Sequence, residues 1–89
     1  MYRVELSSRA QHELGGIRGR DLDRVVVALR GLPLNPRPRG AKKLTGPMYR
    51  IRVGNWRVVY AVFDRDNLVI VGKIARRSEK TYDGLDGLF

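Results

Sequence analysis

Apolar and polar residues alternate over Tyr2-Arg3-Val4-Glu5-Leu6, which predicts a short strand. Ser7-Ser8 then supplies an N-cap, and Ser8 with Gln11 has capping-box spacing. A helix follows with Ala10, Leu14 and Ile17 on one side, and Gly15-Gly16 breaks or ends it. A second helix is expected from near Arg20-Asp21, where Asp21 and Asp23 suit the positive end of a helix dipole. Leu22, Val25, Val26 and Leu29 keep helical spacing until Gly31 and Pro33 stop it. Val25-Val26-Val27 alone would suit a strand, but the charges at Asp21, Asp23, Arg24 and Arg30 favour helix.

From Met48 the period changes to two. Strands are expected at Met48–Val53, Trp56–Phe63 and Leu68–Ala75, joined by Gly54-Asn55 and by the turn-prone Asp64-Arg65-Asp66-Asn67. Gly54-Asn55, with glycine first, is a type II′ signature. In that register Val53 pairs with Trp56 and Arg52 with Arg57. The middle strand is apolar on both faces beyond Arg57, so it should be central. Tyr49, Ile51, Val53, Trp56, Val58, Tyr60, Val62, Val69 and Val71 then form a face suited to lie under the helices. The opposite face is expected to be partly open and to carry Arg50, Arg52, Arg57, Val59, Ala61, Ile70, Gly72 and Ile74. Gly72 marks a place for close backbone approach. Residues 33–47, rich in Pro, Gly and cations, read as one long loop, a kind more often functional than idle. The expected fold is α+β: an N-terminal strand and a two-helix hairpin packed on an antiparallel β-meander, with residues 1–89 forming a single domain.

Charge sharpens this picture. The 89 residues include 18 Lys+Arg against 9 Asp+Glu, a net charge of +9. Between Arg24 and Phe63 the basic residues are Arg24, Arg30, Arg37, Arg39, Lys42, Lys43, Arg50, Arg52 and Arg57, with no Asp or Glu among them. Solvated surfaces usually mix both signs, whereas a one-sided field attracts polyanions, nucleic acid above all. With no cysteine, disulfides and thiolate metal sites are excluded. The charged start Met1-Tyr2-Arg3-Val4-Glu5 does not resemble a signal peptide, and no apolar run approaches the ~20 residues that span a bilayer. A cytoplasmic protein without a membrane partner is the expectation.

Arg52 opposite Arg57 puts like charges in register, which destabilises a sheet unless an anion compensates. After the last strand, Ile74-Ala75-Arg76-Arg77-Ser78-Glu79-Lys80-Thr81-Tyr82 adds two arginines and a tyrosine near the same sheet. The candidate constellation is therefore Arg50, Arg52, Arg57, Arg76 or Arg77, and Tyr82, with Lys42 and Lys43 nearby. Guanidinium forks grip phosphate oxygens and stabilise the added charge of a pentacovalent phosphorane. A tyrosine can stack on a base or pass a proton. Acids are few and scattered, so no metal or other cofactor is expected. On RNA, metal-independent cutting means attack by the 2′-hydroxyl, leaving a cyclic phosphate. His12, on the first helix and far from the arginines, reads as a surface residue; Trp56 reads as core.

Lys42-Lys43-Leu44-Thr45-Gly46, the hairpin Tyr49–Tyr60 and Ile74–Tyr82, in the order strand, helix, helix, meander, closely resemble the RelE/ParE superfamily of toxins from type II toxin–antitoxin systems. The resemblance spans essentially the whole chain and is nearer to RelE, which cuts mRNA in the ribosomal A site, than to ParE, which poisons DNA gyrase. It implies the RelE-like microbial RNase fold and a partner antitoxin encoded alongside. It also implies action on ribosome and mRNA, and contact with operator DNA only through the antitoxin complex. By position it assigns catalysis to Arg52, Arg57, Arg77 and Tyr82, and RNA or ribosome binding to Lys42, Lys43, Arg50 and Arg76. The family's best-studied members have lysines where this chain has Arg50 and Arg52, and one of those lysines is given a proton-transfer role. Arginine keeps its proton below pH ~12, so Arg52 reads as an electrostatic stabiliser and the general base is unassigned. The alternatives are a ParE-like gyrase inhibitor without RNase activity and a non-toxic basic nucleic-acid-binding module.

Overall fold

Two short helices cover one face of a five-stranded mixed sheet in the computed structural model, which describes residues 1–77. The elements are β1 (Arg3–Leu6), α1 (Ser8–Gly15), α2 (Gly19–Gly31), β2 (Lys42–Lys43), β3 (Met48–Val53), β4 (Trp56–Phe63) and β5 (Leu68–Arg76). Strand order is β1-β5-β4-β3-β2, with β1 parallel to β5 and the other pairs antiparallel. The expected meander is therefore the sheet's interior, extended at both edges. β3 and β4 keep their expected limits, and β5 runs one residue further, to Arg76.

Local chemistry explains the boundaries, with one correction. The N-cap of α1 is Ser7, whose hydroxyl accepts from the Ala10 amide at 3.1 Å; Ser8 is already helical. Gln11 is not a capping-box partner of Ser8, because its side-chain amide donates instead to the Leu6 carbonyl at 3.0 Å. The β3–β4 turn has φ +60° at Gly54 and no positive φ at Asn55, as type II′ requires. Asn67, at φ +48°, closes the short 3₁₀ turn Asp64–Asp66 before β5.

The near face of the sheet is the core. Val58, Tyr60, Val62, Val69, Val71 and Ile74 pack against Ala10, Ile17, Val25, Leu29 and Leu32, with Tyr49, Ile51, Val53 and Trp56 at the margin. Burying each such aliphatic side chain contributes ~1.5–3 kcal/mol, which sustains so small a domain.

Ile74 corrects the expected facing. The ladder between β4 and β5 steps from Tyr60↔Val71 to Val59↔Lys73, leaving Gly72 as an extra residue in a β-bulge. Ile74 thereby turns into the core, and Lys73 and Ala75 take the far face. Helix α1 anchors the bulge from behind. Ser7 donates its hydroxyl to the Gly72 carbonyl at 3.2 Å, and the Glu13 carboxylate accepts the Ile74 amide at 2.9 Å.

The 33–47 segment is also more ordered than a plain loop. Lys42 pairs with Arg50 and Lys43 with Tyr49 as β2. The stretch before it is pinned: the buried Tyr60 hydroxyl donates to the Pro36 carbonyl at 2.8 Å, and Arg37 bonds Tyr49 Oη at 2.9 Å and Asp64 at 2.7 Å. Tyr2 Oη donates to the same Asp64 at 2.6 Å, tying the N-terminus to this corner.

Candidate functional site

The hairpin turn and the end of β5 build the basic end of the sheet. Arg52 pairs with Arg57, Arg57 with Ala75, and Trp56 with Arg76. Beyond the last paired residue the Arg77 amide still donates to the Asn55 carbonyl at 2.8 Å, so the chain leaving β5 is held against the turn. Asn55, Arg57, Arg76 and Arg77 line a cleft of about 400 Å³. Among the described residues its lining presents guanidinium donors and an amide, and no carboxylate.

The two arginines after the strand have different settings. Arg76 lies over the Trp56 ring, 5.0 Å from its centroid, and the Trp56 indole N–H donates to Asp21 at 3.2 Å. A cation held on an aromatic face keeps its charge in place with less ordering to do on binding. Arg77 follows Ala75 by two residues, on the side of the sheet that Arg57 occupies. Arg57 and Arg77 therefore converge, with Arg76 forming the near-face wall; the residues alone left Arg76 or Arg77 open, and the bulge at Gly72 decides between them.

The remaining candidates spread out. Arg52, exposed, borders a second groove of about 430 Å³ between α2 and β3, with Asp23, Arg24, Val27, Ala28, Ile51 and Val53, and does not line the arginine cleft. Arg50 is on the far face but only 6 % exposed, with Val59, Ala61 and Ala75 around it nearly inaccessible; the far face is more closed than its sequence suggests. Lys42 shares the side of Arg50, whereas Lys43 is in register with the near-face residue Tyr49. Tyr82 lies outside the described residues. His12 is exposed on α1, as expected.

One far-face cation escapes sequence reasoning. Lys73, 7 % exposed, is paired with Val59, whose other neighbour is Arg50. Strict alternation sends Lys73 to the core side, and only the bulge at Gly72 reverses it. An isolated glycine inside an apolar strand was the available signal.

The titration behaviour belongs to the scaffold. Hydrogen bonds from Arg37 and Tyr2 hold the Asp64 carboxyl below the usual range, and burial pushes the Tyr60 phenol up to about 12. Among the described residues no group of three or more His, Asp or Glu could hold a metal ion, and no helix is long and apolar enough to cross a membrane.

A helical hairpin packed on a five-stranded mixed sheet is the fold of a known class of small toxins. The family described as ParE toxin of the type II toxin–antitoxin system, parDE, matches residues 4–81. The chain thus belongs to the RelE/ParE superfamily of type II toxin–antitoxin toxins. It is 32 % identical over 81 residues to a Methanocaldococcus jannaschii protein provisionally named toxin RelE1, covering 85 % of this chain and 90 % of that one. It superposes on the toxin–antitoxin assembly named archaeal RelE–RelB from Pyrococcus horikoshii with a TM-score of 0.76 at 26 % identity, covering 88 % of this chain and 97 % of the other. The isolated Escherichia coli RelE toxin shares the fold, with a TM-score of 0.77 at 21 % identity over 92 % of this chain and 89 % of that one.

Proposed function

We propose that this toxin is a metal-independent endoribonuclease that cuts mRNA on the ribosome and so stops translation. The observation that carries the reading is the cleft of Asn55, Arg57, Arg76 and Arg77, which offers an oxyanion its donors and, among the described residues, no competing carboxylate. In this reading the 2′-hydroxyl attacks the adjacent phosphorus, the bond to the 5′-oxygen breaks, and a 2′,3′-cyclic phosphate remains. Arg57 and Arg77 neutralise the phosphorane, Arg76 and Arg50 hold flanking phosphates, and Lys42 and Lys43 meet ribosomal RNA. Arg52, exposed and outside the arginine cleft, contributes field more than contact, and Tyr82 stacks on a base. No described lysine occupies the positions of Arg50 or Arg52, so the 2′-hydroxyl proton leaves to solvent or to ribosomal RNA. The protein acts in the cytoplasm, is held inactive by a cognate antitoxin, and meets operator DNA only through that complex. The relatives captured as RelE–RelB assemblies support such a partner.

A second reading has its own support: the matching family description is that of ParE, and a gyrase poison needs no proton-transfer lysine. Purified toxin is to be incubated with programmed ribosomes, and separately with gyrase and supercoiled plasmid. Cut mRNA with cyclic-phosphate ends is the expected result. Intact mRNA together with trapped or inhibited gyrase would replace the nuclease reading with the second.

A further inference from the structure

The bulge at Gly72 places Arg50, Val59 and Lys73 in one row across β3, β4 and β5, on the far face. With adjacent strands ~4.8 Å apart, the two cationic Cα atoms stand about 10 Å from each other, with the small, fully buried Val59 between them. Both residues are more than nine-tenths buried, and neither carries a hydrogen bond or ion pair to another described residue. Glu5, the nearest acid by register on this face, belongs to the row of Ile70 and is exposed, and it bonds Arg3 at 2.6 Å. Neither side chain has a buried nitrogen left without a partner, so the stems are enclosed while the charged ends reach solvent, and among the described residues no carboxylate meets them; two like charges held this close favour an anion between them. The next row toward the turn holds Arg52, Arg57 and Ala75, so the pair lies about 7 Å along β4 from the arginine cleft.

We propose that Arg50 and Lys73, closing over Val59 from either side, form a second phosphate site, and that it takes a phosphodiester of the same polynucleotide strand whose scissile phosphate enters the arginine cleft. Anion binding here follows from the geometry alone; the identity of the strand rests on the nuclease reading. The bulge, held by Ser7 and Glu13, is the device that makes the site, because it alone brings Lys73 to this face.

Inorganic pyrophosphate is the first probe, titrated at low ionic strength while the melting temperature is followed. Wild type and Lys73→Arg should rise together, and Lys73→Met should show at most half that rise. Arg65→Met, which removes one unit of charge from the exposed turn after β4, should behave as wild type. The variants' melting temperatures without ligand show that each is folded, and Lys73→Arg keeps the test valid if Lys73→Met is not. Equal rises in wild type and Lys73→Met, equal losses in Lys73→Met and Arg65→Met, or no rise in wild type would overturn the site. A single-stranded RNA oligonucleotide is the second probe: the slope of log K against log salt should fall by about 0.7 in Lys73→Met, one phosphate contact, and return in Lys73→Arg. An unchanged slope beside a positive pyrophosphate result would overturn the polynucleotide assignment. Absence of cutting on ribosomes with both binding results positive would overturn the nuclease reading and leave the phosphate site standing.

Discussion

A guanidinium on a fixed strand and another on the chain leaving the sheet converge on one small volume, and that convergence makes Arg57 and Arg77 the residues to test. Groups that meet charge as it develops matter most in the transition state, where losing one donor costs about 100- to 1000-fold in rate. Arg57→Ala and Arg77→Ala should each reduce mRNA cutting on ribosomes by that factor, with circular dichroism unchanged because neither side chain enters the helix-covered core. His12→Ala should leave cutting unaltered. Strict alternation along β5 sends Arg76 rather than Arg77 to the far face, so of the cleft arginines it was Arg57, placed by a two-residue turn and alternation, that was legible in the sequence. Lys73 was not, since its facing depends on a residue inserted elsewhere in the ladder. The corner around Asp64 gives a pH prediction. Its folded pKa lies below the unfolded one, so its contribution is complete above the unfolded value near 3.8 and is lost as pH falls through the folded value. Urea midpoints measured between pH 7 and pH 2.5 should fall less steeply at the acid end for Asp64→Asn than for wild type.

At the level of elements, the bulge and its anchors decide which side of β5 is which. Glu13 accepts the Ile74 amide inside the structure, and removing one partner of a part-buried bond leaves the other unsatisfied at about 1–3 kcal/mol. Glu13→Ala should lower stability by that amount in chemical denaturation and speed hydrogen exchange at Ile74 more than at Val62. The strand bounds of β3 and β4 followed from period and turn chemistry alone. The cap of α1 and the pairing of Lys42–Lys43 did not. Ser7 and Ser8 are chemically equivalent caps until the direction of β1 chooses between them, and β2 is too short to announce itself without the edge it pairs with. Tyr60 shows the same dependence. Its hydroxyl reaches across 24 residues to the Pro36 carbonyl, so Tyr60→Phe should cost about 1–2 kcal/mol and free the start of the 33–47 segment, read as faster exchange or proteolysis there.

For the molecule as a whole, the excess of cations sets how it meets its target. The net charge of +9 is concentrated in a run without acids, and the fold divides that run: Arg37 goes to a structural ion pair, while Arg50, Arg52 and Arg57 stay on the far face. Binding to RNA or ribosomes should therefore weaken steeply between low and physiological salt, by counterion release. A flat response in the same titration would point to a protein surface as the target. Expression of the toxin alone should arrest growth, and co-expression of the neighbouring antitoxin should restore it; normal growth with abundant folded toxin would count against toxicity.

Sequence alone determined the strand–helix–helix–meander order, the near-face core, the type II′ hairpin and the arginines it sets in register. Each of these depends on spacing within a segment or across a two-residue turn. Tertiary structure decided what depends on distant partners: the parallel docking of β1 on β5, the closing of the far face over Arg50, the stacking of Arg76 on Trp56, and the bulge that turns Ile74 inward and Lys73 outward. The reason is that a period-2 pattern assigns faces only while the ladder is unbroken. One added residue exchanges the two faces, and here it is held in place by Ser7 and Glu13, more than 60 residues away along the chain.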